Sequence, residues 1–137
     1  MNVIRVKRVP EFKGEDVVLL AMDRAGVDTF LAAVTQAEQQ GSSRLQRSGR
    51  VHDFVIEAGA ADIELDDDRV VWRLDHTKAV EIIEKLTVSS SSGHPGHHYV
   101  DDMSSPAPTL VLSCDQYISP SWLTAGKEPI FRDDEPD

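Results

Sequence analysis

A single cysteine, Cys114, is all the thiol chemistry this 137-residue chain possesses. No intrachain disulfide can form, which favours a reducing compartment. No stretch approaches the roughly 18 consecutive apolar residues that mark a bilayer-spanning helix. The N-terminus, Met1-Asn2-Val3-Ile4-Arg5, has early charge but no apolar run after it, which argues against a secretory signal. A cytoplasmic location with no membrane partner is therefore expected. The chain also lacks G-x-G-x-x-G, a Walker loop and G-x-S-x-G, so no nucleotide cradle or serine-hydrolase elbow is expected. Basic residues are scarce: 14 Lys and Arg face 24 Asp and Glu, a net charge of −10. A field of that sign repels nucleic acid and anionic lipid and attracts cationic partners.

What is present belongs to an ordinary globular domain. The hydrophobic fraction of 40% and the charged fraction of 28% are those of a folded chain, and the length fits one hydrophobic core. The charge is uneven. Residues 1–13 hold Arg5, Lys7, Arg8 and Lys13 against Glu11, a net +3, which leaves −13 for the remainder. Three regions are expected: a basic N-terminal edge strand or arm over 1–13, a core over 14–118, and an irregular proline-containing tail over 119–137.

Periodicity supplies the elements. Val3 to Val9 alternates apolar and basic residues as a short edge strand does, and Pro10 is expected to end its ladder. Val17 to Met22 is long enough for a buried strand, with a turn over 23–26. Asp28 is expected to cap a helix whose stripe is Phe30, Leu31, Val34 and Ala37, closed by Gly41. Residues 41–49 read as a loop. From Val51 to Leu74 the period is two, with Phe54 and Ile56, then Ile63 and Leu65, then Val70, Trp72 and Leu74; a β-meander is expected. Asp75 or Thr77 caps a second helix with Ala79, Ile82, Ile83 and Leu86 on one side, ending in a serine loop over 89–92. Short strands follow at Tyr99-Val100 and Leu110 to Leu112. Trp122, Leu123, Ile130 and Phe131 point to a tail that packs in part on the body. No internal repeat is evident. The expected fold class is α+β: a single domain with a mainly antiparallel sheet and two amphipathic helices packed on one face.

Candidate chemistry is thin. His94, His97 and His98 form a turn-like cluster, but its spacing matches no metal motif and no cysteine lies beside it. Read as a calcium loop from Asp62, the sixth position is Asp67 and the twelfth Arg73, where glycine and glutamate are required. Cys114 follows an apolar strand and reads as core. No catalytic, cofactor-binding or metal-binding residue is expected. Asp62, Glu64 and Asp66 alternate along a strand, away from Ile63 and Leu65, and Asp67 and Asp68 continue the acid into a turn. These five are the expected partner-binding residues; a plain solvated strand face is the alternative reading.

The strand–helix segment from Val17 to Gln40, the acidic strands and second helix from Asp62 to Leu86, and Thr109 to Tyr117 together resemble small immunity proteins of bacterial polymorphic-toxin and contact-dependent inhibition systems. The resemblance covers about half of the chain and rests on no diagnostic motif. It implies a non-catalytic inhibitor of a basic, nuclease-type toxin, with a protein partner and no nucleic acid. Two alternatives stay open: a metal-binding protein or small enzyme built on the histidine turn, and an oligomeric accessory protein, a homodimer among its forms, paired through the N-terminal strand.

Overall fold

A computed structural model describes residues 4–12, 15–47, 50–92, 96–105 and 107–114. Asp23 sets the first half. Its carboxylate accepts from the Gly26 N–H at 2.7 Å, so the residues expected to turn are already the first helical turn, and Asp28 lies inside it. The helix α1 spans Arg24–Gln40 and ends at Gly41, whose φ of 96° is the left-handed cap that its position demands. It buries Phe30, Val34 and Ala37, as its stripe predicts. Before it stand β1 (Ile4–Phe12) and β2 (Glu15–Met22); after it come β3 (Ser42–Arg47) and β4 (Arg50–Ile56). Strand β1 continues past Pro10, because a register shift between Val9 and Phe12 absorbs the missing donor. Strand β3 was expected as loop. It is an edge strand whose Ser43 bonds the Ala33 carbonyl at 2.6 Å, so it needs few apolar side chains.

The second half repeats this plan. Strands β5 (Ala61–Leu65) and β6 (Arg69–Leu74) precede α2 (His76–Ser92), and β7 (Gly96–Val100) and β8 (Thr109–Cys114) follow it. Asp75 caps α2 through the Lys78 N–H at 2.7 Å. The Ser89–Ser92 run, expected as loop, is the last turn of α2: Ser89 is buried, and Ser90 donates to Asp28 at 2.7 Å. That bond at one end, and His76 with Glu38 at 3.0 Å at the other, show the helices packed antiparallel.

The described strands form two four-stranded sheets, ordered β1-β2-β8-β7 (sheet I) and β3-β4-β6-β5 (sheet II). The α+β class is as read from the sequence. The single meander is not: β4 lies parallel to β6, with β5 outside it, and β2 lies parallel to β8. Only the hairpins are antiparallel. Each sheet thus joins a hairpin from one half to a hairpin from the other.

The described residues form a structural repeat, although no repeat is legible in the letters. Both helices have 17 residues, and Asp75 caps the second 52 positions after Asp23 caps the first. At that spacing Val18, Leu20 and Met22 correspond to Val70, Trp72 and Leu74, and Phe30, Val34 and Ala37 to Ile82, Leu86 and Ser89; all are buried. Strand register extends the correspondence to Leu110 with His52 and Leu112 with Phe54. What repeats is burial, which tolerates leucine for tryptophan and alanine for serine. The apolar side chains among these, from both sheets and both helices, belong to one cluster in which Phe30, Phe54 and Trp72 pack together. The basic N-terminal strand is the edge of sheet I, while the proposed tail, with Trp122, Leu123, Ile130 and Phe131, lies outside the described residues.

Candidate protein-binding surface

Alternation along the strands of sheet II sends His52, Phe54, Val70, Trp72 and Ile63 to the core. Their neighbours Val51, Asp53, Val55, Arg69, Val71, Arg73, Asp62 and Glu64 take the outer face, with Arg44 from β3. Two ion-pair groups organise it. Asp53 accepts from Arg44 Nε at 2.7 Å and from Arg69 Nε at 2.8 Å. The bond from Arg44, then that from Arg69, holds its carboxyl below the usual range against the opposing pull of burial. Arg73 bridges the expected acidic stripe, its Nε 3.0 Å from Asp62 and its Nη2 on Glu64. The Glu64 bond, above all, raises the Arg73 pKa.

The five expected acidic residues therefore divide. Asp62 and Glu64 do share the outer face of β5, but with Arg73 between them. Strand β5 stops at Leu65, so Asp66 does not continue the stripe; it joins Asp67 and Asp68 in the exposed β5–β6 turn. Arg50 pins that turn. Its Nε and Nη2 donate to the Asp66 carbonyl at 3.1 and 2.6 Å, while Nη1 reaches the Val6 carbonyl of β1 at 2.9 Å. Burial lowers the Arg50 pKa, opposed by the charges of Asp67, Asp66 and Asp68. The outer face is thus a lattice of three arginines and three carboxylates around Val51, Val55 and Val71, with a fixed acidic corner at one end. Arg44, Asp53, Arg69 and Arg73 escaped the sequence reading, although each falls out of phase with the core positions; that phase was the available signal.

The other candidate residues are placed as follows. His97 faces Ser113 and His98 faces Leu112 across β7 and β8, so the two imidazoles point to opposite sides of the sheet and do not converge on one ion. His97 Nε2 lies 3.3 Å from the Tyr99 hydroxyl; burial, then Lys85 and His97, lowers the His98 pKa. His94 lies outside the described residues. Among those described, no group of three His, Cys, Asp or Glu is arranged to hold a metal ion. Cys114 is buried on the core side of β8, opposite Gly96. No described helix is long and apolar enough to cross a membrane.

His52 was not singled out as a core residue, yet it is fully buried. Its Nδ1 accepts from Trp72 Nε1–H at 3.1 Å, so the neutral ring carries its proton on Nε2. That buried Nε2 has no hydrogen-bond partner among the described residues. Burial first, and the Arg50 charge second, push the His52 pKa down to about 4, with Asp53 opposing.

No protein-family profile matches the chain, and no curated protein matches it. Among solved structures, Drosophila Suppressor of Fused is similar at 9% identity and a TM-score of 0.47. The alignment covers 81% of this chain and 26% of that chain, so the present chain spans about a quarter of its length. A likeness at that level says nothing about function.

Proposed function

We propose that this chain is a non-catalytic binding protein that docks a basic protein partner on the outer face of sheet II, with the Asp66–Asp68 corner steering the approach. The contrast between equivalent faces carries this reading. Where sheet II has Arg69, Arg73 and Asp53, sheet I has Val17, Ala21 and Val111, all buried. At these central positions only sheet II carries charge, whereas at the edge Arg5 and Lys7 of β1 stand where β5 has Asp62 and Glu64. An apolar centre ringed by charged side chains is the composition of a contact surface, and Arg50 holds the acidic corner in place before any partner arrives, which reduces the ordering cost of binding. An immunity protein acting on a nuclease-type toxin is the specific form favoured by the sequence resemblance.

Coexpression with the product of an adjacent toxin-like gene tests it. A complex is expected at low salt, with an association rate that falls as salt rises. Replacing Asp67 and Asp68 by asparagine is expected to slow association by about 10-fold while moving stability by less than about 0.5 kcal/mol. Absence of a complex at low salt, or an association rate indifferent to salt and to these two charges, would refute the proposal.

A further inference from the structure

We infer that the two halves of this chain are complementary modules, and that a second copy of the chain can supply either half by exchange through the Glu57–Ala60 link. Neither half pairs its own two hairpins. Strands β2 and β4 of the first half find their second neighbours only in β8 and β6 of the other, and α1 packs along α2. Alone, each half would leave two inner strand edges and an apolar helix face open, which is a template for pairing with another chain.

The only covalent connection between the halves is the link after Ile56. There the Ala60 N–H bonds the Glu57 carbonyl at 3.0 Å, and Gly59 sits at a φ of 76°, the left-handed value that a type II turn asks of glycine at this place. The link passes the end of β6, because β4 and β5 flank that strand. It must therefore cover two strand spacings, about 9–10 Å, and turn back. Four residues achieve this; two fully extended ones leave no length for the turn. When two chains exchange halves, both parallel strand pairs and the helix pair re-form unchanged, so the conformation of the link alone decides between the closed monomer and the exchanged dimer. The exchange bears on the outer face of sheet II as well. Arg44 and Asp53 come from the first half, and Arg69, Arg73, Asp62 and Glu64 from the second, so each such face in the dimer would be built by two chains.

Deleting Ala58 and Gly59 from the full chain tests this. The expected product has twice the monomer mass by light scattering, with an unchanged far-ultraviolet spectrum. A folded monomer would overturn the inference. A second measurement decides the matter if that variant does not fold. A protease site is placed between Ala58 and Gly59, the folded chain is nicked, and the fragments are unfolded in denaturant and refolded together. One-to-one co-elution with recovery of the native spectrum is expected; fragments that elute apart would refute complementarity.

Discussion

Between pH 6.5 and about pH 4 the folded chain is expected to lose about 3 kcal/mol of stability through His52 alone. Its pKa is 6.5 when unfolded and about 4 when folded, and each unit of difference is worth about 1.4 kcal/mol. Because the folded value is the lower one, the unfolded chain binds the extra proton across this window. The stability is fully present above pH 6.5 and is lost as pH falls towards 4. The cause is local. A second ring proton on Nδ1 would meet the Trp72 N–H that now donates to it, inside a cage of Phe30, Phe54 and Trp72. Carboxylates such as Asp53, whose pKa is already depressed, add the same sign of dependence at lower pH. Urea unfolding at intervals from pH 7.5 to 4 measures the slope. His52→Leu is expected to flatten it, since the equivalent position of sheet I is Leu110 and is accommodated there. An unchanged slope in that variant would show that the acid sensitivity lies elsewhere.

Trp72→Ala is expected to cost about 3–5 kcal/mol, the usual range for emptying a large aromatic site. Trp72 is fully buried, with ring centroids of Phe30 and Phe54 at 5.1 and 6.0 Å. The substitution removes those contacts and leaves His52 with neither ring nitrogen bonded. Since a domain of this kind has about 5–15 kcal/mol in all, the loss is a large share of the total, and acid adds to it through His52. Trp72→Phe keeps most of the volume but not the donor, and should cost about 1–3 kcal/mol. Chemical denaturation of the pair separates cavity from hydrogen bond: equal losses would mean that the indole N–H, not its bulk, dominates.

Both expectations concern one short stretch of sheet II, and it illustrates what could be read in advance. The alternation of Phe54 with Ile56 and of Val70 with Trp72 was legible, so the inward side of these strands was known. The same period places His52 inward and Asp53 outward, but histidine and aspartate carry no burial preference strong enough to be trusted without a partner. Their partners, Trp72 and the two arginines, lie 9 to 20 positions away. Likewise Arg73 was visible as a charge, while its place between Asp62 and Glu64 depends on β5 pairing back along β6.

By itself the amino-acid sequence determined the class, the inward faces of most strands, the stripe of each helix, the Gly41 cap, and the acid balance of the chain. Each of these is local: it depends on spacing within an element or on residue type. The two-sheet arrangement, the parallel joins of β2 with β8 and β4 with β6, the repeat of halves, and the neutralised lattice on the outer face were decided only by tertiary structure. They arise from which hairpin meets which across the chain, and the gain from such long-range pairing leaves no period in the letters that make it.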